Sequence, residues 1–366
     1  MFLARRNLFK DKTRLALSIG GVALAVMLVL LLNGLLTGSF RQITSYLDRS
    51  PGSLVVTQSG VRNLLGATSL LPPGTASEAE QVEGAAEVVP ILSQFVILDL
   101  HGKKQPAYLV GYDPEKGGGP WQLAQGRTPK ADDEVIFDRV LADRHNLGLG
   151  ESLDIMGRDF RVVGLSEGTT SWMTSFVFIR KTAAESLFRA PGATSFLLVR
   201  PAEDQPPEAL QDRLADLPGI EVLLKGQVAA NDSRLYARLF SAPVRLMSGI
   251  AFLVGTLVVG LVIYTATVER QREYGVLKAI GARNGMLYRV VGTQALIAAV
   301  AGVVLGVLLA YGASELIMTL RPQFLVVLEP AEVLWVGAIG LSMALAAALL
   351  PARVLAGLAP AEVFRK

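Results

Sequence analysis

Two groups of residues carry the chemistry-capable side chains of this chain. Asp132, Asp133, Glu134 and Asp138 place four carboxylates in one short stretch, and Glu269, Arg270, Arg272 and Glu273 mix both signs of charge over five positions. Clustered carboxylates are raw material for a catalytic or metal site, yet no EF-hand loop, H-E-x-x-H or G-x-S-x-G run occurs in the chain. A solvated strand edge accounts for the four acids. The two histidines, His101 and His145, sit in an expected hairpin turn and at the end of a short helix. Neither has a partner nearby in sequence, so both read as surface residues. Cysteine is absent, which removes disulfides, zinc–thiolate sites and thiol catalysis. No G-x-x-x-x-G-K-[S/T] phosphate loop is present either, so any ATP that drives this protein binds another polypeptide.

The second group opens a stretch with helical spacing. Tyr274, Leu277 and Ile280 follow at i, i+3 and i+6, and Val276 and Ile280 at i, i+4, with Gly281 placed to stop the helix and Asn284 to cap the next. A short helix with an apolar face must bury it in the lipid interface or in a groove of a partner. The mixed charges at Glu269, Arg270, Arg272 and Glu273 would fix register against a partner, so docking is the favoured reading.

The elements that position this stretch are set by blocks of apolar sequence. Hydrophobic residues make up 51% of the 366 and the mean hydropathy is +0.43. Arg14 to Arg41, Arg245 to Glu269, Arg289 to Glu315 and Glu332 to Arg353 each bracket a charge-free run. About 20 residues at ~1.5 Å rise cross a ~30 Å hydrocarbon layer, so each run predicts a membrane span. The expected spans are 15–40, 245–268, 290–314 and 333–352, one followed by three, with a large polar insert at 41–244. Leu15 to Leu36 is too long for the ~7–15 residue core of a signal peptide, which predicts an uncleaved span. Apart from Arg245 at the very start of the second, no span contains Asp, Glu, Lys, Arg or His, which argues against ion-coupled pumping.

Charge predicts the orientation. Residues 1–14 hold five basic residues against Asp11, and 269–289 hold five against Glu269 and Glu273. The 315–332 loop has Arg321 against Glu315, Glu329 and Glu332. Basic excess marks the cytoplasmic side, so 1–14, 269–289 and the 353–366 tail are expected inside and 41–244 and 315–332 outside. The net charge of +3 is too small to suggest nucleic acid as a partner.

The insert reads as α+β. Strand-length runs include Leu54–Gln58, Phe95–Leu100, Ala107–Gly111, Glu134–Phe137, Phe160–Leu165, Phe176–Ile179, Phe196–Val199 and Glu221–Leu224. Helical patterns fall at Arg139–Asn146 and Glu208–Leu217, and Leu71–Thr75 and Pro114–Pro120 read as flexible loops. In the membrane, Gly34 with Gly38 and Gly302 with Gly306 form small-x-x-x-small faces, candidates for packing against a second copy.

Three pieces resemble the FtsX/MacB/LolC class of ABC-transporter permeases, the type VII or mechanotransmission systems. They are the E-R-Q-R-E-Y-G-V-L-K-A-I-G-A run at 269–282, the 126–164 stretch, and Pro351-Ala352-Arg353 with Leu358 to Val363. Met1-Phe2-Leu3-Ala4 and Pro51 to Leu71 are similar to the HrtB-like and DevC-like subfamily. The resemblance implies a homodimer in a bacterial or archaeal cytoplasmic membrane, each subunit docking one cytoplasmic ATPase that carries ATP and Mg. It implies an outer MacB-like core domain and leaves room for an extracytoplasmic adaptor protein. It assigns docking to Glu269, Arg270, Arg272, Glu273, Tyr274, Gly275, Leu277, Lys278, Ile280 and Gly281. The expected work is export or extraction of a hydrophobic or amphipathic substrate, with no catalysis or cofactor in this chain. The alternative is an FtsX-like signaller that activates an outer partner such as a cell-wall hydrolase.

Overall fold

The computed structural model describes residues 12–100, 102–171, 173, 175–269, 276 and 284–357. They divide into an α+β unit, Ser39–Leu239 with Pro322–Leu325, and a helical unit, Met1–Gly38, Phe240–Arg321 and Val326–Lys366. Helix α1 (Lys12–Arg49) contributes to both.

The α+β unit is built on ten strands in the order β10-β1-β9-β2-β3-β8-β5-β7-β4, with β6 paired to β7. In chain order these are β1 (Leu54–Gln58), α2 (Thr75–Gln81), β2 (Ala85–Leu100), β3 (Lys103–Tyr112), β4 (Leu123–Gly126) and β5 (Glu134–Asp138). Then come α3 (Arg139–His145), β6 (Ser152–Ile155), β7 (Arg158–Ser166), β8 (Ser175–Arg180), α4 (Lys181–Leu187), β9 (Phe196–Pro201), α5 (Pro207–Leu214) and β10 (Ile220–Leu224).

The 16-residue β2 joins two halves. Its first part, Ala85 to Ile91, pairs with β9, and its second, Leu92 to Leu100, pairs with β3. The first half is therefore β1-α2-β2 followed by β9-α5-β10 in the antiparallel order β10-β1-β9-β2, a split β-α-β pattern. Everything from β3 to α4 is inserted between its second and third strands. Leu54, Val56, Leu197, Val199, Leu210 and Leu214 bury the helix-facing side of that half. The second half closes over Val96, Leu98, Phe137, Phe160, Val162 and Val177. On β2, Val96, Leu98 and Leu100 are buried while Phe95, Ile97 and Asp99 are not, the period-2 signature of a strand with one covered face.

All eight expected strands fall on observed ones, and the two expected helices are α3 and α5. Three features differ. Leu71–Thr75 leads into α2, entered through Gly74 at φ +89°. A fresh helix, α4, follows β8 directly. Most of all, helix α6 (Lys225–Glu269) begins 20 residues before the expected span at 245. Residues 225–242 contain no proline and carry only Gly226, so no breaker interrupts it before Pro243. At ~1.5 Å per residue its 45 residues exceed twice a ~30 Å hydrocarbon layer. The α+β unit takes α6 up to Leu239, so the apolar stretch from 245 onward is the spanning part.

The helical unit is completed by α7 (Asn284–Leu320) and α8 (Pro330–Gly357), giving four helices apolar and long enough to cross a membrane. Their shared core includes Val22, Val26 and Leu30 of α1, Val259 of α6, Ala295 and Ala299 of α7, and Met343 and Ala344 of α8. The opposite faces expose Leu257, Leu261, Leu308 and Leu334, as a bilayer requires and water would not tolerate.

Candidate functional site

Of the expected docking residues, Arg270, Arg272, Glu273, Tyr274, Gly275, Leu277, Lys278, Ile280 and Gly281 lie outside the described residues. Glu269 closes α6, and Val276 is helical and exposed.

The glycine faces are occupied within the subunit. A Cβ at Gly302 would lie 2.6 Å from Val22 Cβ, and one at Gly306 2.7 Å from the Ala23 carbonyl, both on α1. A Cβ at Gly34 would lie 2.9 Å from Leu328, and the Gly34 carbonyl accepts the Val327 N–H at 3.0 Å. Close backbone approach does occur at these three positions, among segments of one chain. Gly38 is buried on α1.

The carboxylates also change role. β5 is flanked by β8 and β7, so it is an interior strand and not an edge. Glu134 is buried and takes Arg127 at 2.7 and 2.5 Å, the Lys130 N–H at 2.7 Å and Arg161 at 3.3 Å. Arg127 chiefly, with the backbone donors, holds the Glu134 carboxyl down at about 2. Asp138 is fully buried and caps α3. Its Oδ1 accepts the Leu141 N–H at 2.9 Å and its Oδ2 the Thr169 hydroxyl at 2.6 Å, while burial raises its pKa. Hydrogen bonding to strand ends and a helix start makes these two acids structural. Asp132 stays half-exposed, bonded to Thr182. His145 is buried at the end of α3, not at the surface as expected, because the helix packs it inward. His101 lies outside the described residues. Among the described residues, no three His, Asp or Glu side chains gather as metal ligands.

One cavity of the α+β unit, of about 250 Å³, does combine apolar walls with an acid. Ile43, Phe95, Phe176, Leu235 and Leu239 line it, together with Tyr108 and Asp232. Asp232 Oδ1 accepts Asn63 Nδ2 at 3.1 Å and the Leu65 N–H at 3.3 Å. Its Oδ2 is buried and meets no hydrogen-bond donor among the described residues. Burial pushes the carboxyl up to about 7, against the lowering effect of those donors. The Tyr108 hydroxyl donates to the Leu64 carbonyl at 2.9 Å and its ring meets Phe176 edge-on at 5.7 Å. Sequence reasoning passed over Asp232. The available signal was its place between Val228 and Tyr236 at i−4 and i+4, a lone acid on the buried face of an amphipathic turn.

Comparison with known proteins covers both units. The MacB-like periplasmic core domain matches residues 15–217 and the FtsX-like permease C-terminal region matches 245–360. An uncharacterized ABC transporter permease of Mycobacterium tuberculosis (Rv0072) is 27% identical over 85% of both chains. A candidate hemin transport system permease, HrtB, of Staphylococcus haemolyticus is 22% identical over 76% of this chain and 75% of its own. The solved periplasmic region of MacB from Actinobacillus actinomycetemcomitans matches at 16% identity over 50% of this chain and 92% of that one. Its TM-score is 0.38, too slight a likeness to argue from. Four apolar helices in a 1 + 3 order, an α+β unit between the first two, and family matches on each side agree: the chain belongs to the MacB/FtsX-type permeases of ABC transporters.

Proposed function

We propose that this chain is the permease subunit of an ATP-driven exporter or extractor of hydrophobic or amphipathic compounds, working by mechanical transmission. ATP and Mg bind a separate cytoplasmic ATPase, which docks on the 269–289 stretch through Tyr274, Leu277 and Ile280. Closure of the ATPase pair is relayed through a homodimer of this chain to the α+β units, which lie outside the membrane and displace the substrate there. The termini lie inside.

The observation that carries this reading is the union of two matched regions on a chain without a phosphate loop: an FtsX-like membrane region and a MacB-like core domain. α1 and α6 each contribute residues to both units, which gives motion two unbroken elements to travel along. Spans without any Asp, Glu or His favour a mechanical over an ion-coupled cycle. A relative named for hemin transport, HrtB, is in keeping with the substrate class.

The test is co-reconstitution in lipid with a cognate ABC ATPase subunit. Stimulation of ATP hydrolysis by hydrophobic compounds is expected. No stimulation by any of them, with stimulation by an outer protein partner, would replace transport by signalling.

A further inference from the structure

We propose that the cavity lined by Asp232 binds lipophilic ammonium compounds, with the protonated amine paired to the Asp232 carboxylate and the hydrocarbon part against Ile43, Phe95, Leu235 and Leu239. The proposal names a substrate class for the permease and rests on the transport reading above.

The argument starts from what a carboxylate costs. An ionised acid taken out of water without a balancing charge is strongly disfavoured, and buried polar atoms are nearly always partnered. Asp232 is 2% exposed, the Asn63 and Leu65 hydrogen bonds both reach Oδ1, and the Leu64 N–H also bears on the carboxyl. Tying residues 63–65 to α6 needs only one acceptor oxygen, so an amide at 232 would serve that task without the charge. The second oxygen, Oδ2, has no donor among the described residues. A ligand N–H would supply both the missing hydrogen bond and the missing positive charge.

The walls select the rest of the ligand. Phe95, Leu235 and Leu239 keep 55%, 41% and 60% of their surface exposed around the cavity, an apolar margin suited to a hydrocarbon chain. Tyr108, Tyr236 and Phe176 add aromatic rings, whose faces attract cations. Tyr108 also lies within electrostatic reach of Asp232. Above pH 7, where Asp232 is ionised, a neutral alcohol would leave the carboxylate's charge unbalanced, and a fatty anion would be repelled by it. A quaternary ammonium lacks the N–H that Oδ2 requires.

The test is calorimetric titration of the purified full chain in lipid nanodiscs with octylammonium chloride, with empty nanodiscs as the blank. Saturable one-to-one binding is expected, with octanol, octanoate and octyltrimethylammonium at least tenfold weaker. Asp232→Asn, which keeps an acceptor for Asn63 and Leu65, is expected to weaken octylammonium at least tenfold while melting at the wild-type temperature. Equal affinity for octylammonium and octanol on the wild-type chain overturns the proposal and needs no variant to be read. Unchanged binding by a folded Asp232→Asn chain does so as well. Binding is read without the ATPase: intact binding without ATPase stimulation by any compound removes the transport reading alone, and stimulation without octylammonium binding removes the ammonium site alone.

Discussion

Arg127 and Glu134 form a two-point ion pair, Nη1 to Oε2 at 2.7 Å and Nη2 to Oε1 at 2.5 Å, that ties the approach to β5 onto an interior strand. Because the pair lowers the Glu134 pKa from 4.5 to about 2, it contributes stability above the unfolded value. That contribution is lost as pH falls from about 4.5 toward 2. Glu134→Gln is expected to destabilise the chain by about 2 kcal/mol at neutral pH. The gap to wild type should shrink in thermal melts below pH 4.5, where wild type loses the charge that the variant never had. A gap that widens on acidification would contradict the assignment.

Tyr46 donates its hydroxyl to the Gly118 carbonyl at 2.7 Å, with both residues buried. Gly118 sits at φ +82°, a left-handed backbone that glycine adopts without the strain a side chain would bring. Tyr46→Phe removes one donor and leaves a buried acceptor, at a cost of about 1–2 kcal/mol. Hydrogen exchange in the loop from Asp113 to Trp121 should accelerate before exchange elsewhere in the unit does.

Gly306 backs onto Ala23 and Val26 of α1 in the same chain. Gly306→Leu should therefore destabilise the folded subunit itself, by about 1–3 kcal/mol as overpacking usually does. Unfolding monitored in detergent checks this. A stable subunit that had only lost its partner copy would assign Gly306 to the dimer contact instead.

The docking residues yield to a triple substitution. Tyr274→Asp, Leu277→Asp and Ile280→Asp together should abolish co-purification of the ATPase while the chain still inserts and binds octylammonium. Retained co-purification would refute the apolar contact.

Orientation can be read by labelling single cysteines in the cysteine-free chain. Glu115, exposed in the α+β unit, serves as the outer probe. Glu115→Cys should react with a membrane-impermeant maleimide on intact cells, and Gly285→Cys should not. The reverse pattern would invert the proposed topology.

The spans, the α+β class of the insert and most of its strands were legible in the sequence because each depends on local composition. Twenty charge-free residues commit a segment to lipid wherever it sits, and Phe160–Leu165 has a strand's apolar run whatever it pairs with. The start of α6 was harder, because 225–244 is amphipathic rather than wholly apolar, and only its packing reveals the buried Val228, Asp232 and Tyr236 face.

Roles of individual side chains followed a different rule. Glu134 and Asp138 look like solvated acids in sequence and are buried because β7 and β8 flank their strand, an outcome of long-range pairing. Gly302 advertises a close helix contact, yet the choice between α1 of its own chain and a second copy belongs to the packing of four helices. Asp232 gains meaning only when residues 63–65, β3 and α6 converge on it. Local sequence decides which segments leave water. Tertiary structure decides which polar atoms go with them, since a carboxylate's cost and its partners are set by groups far away along the chain.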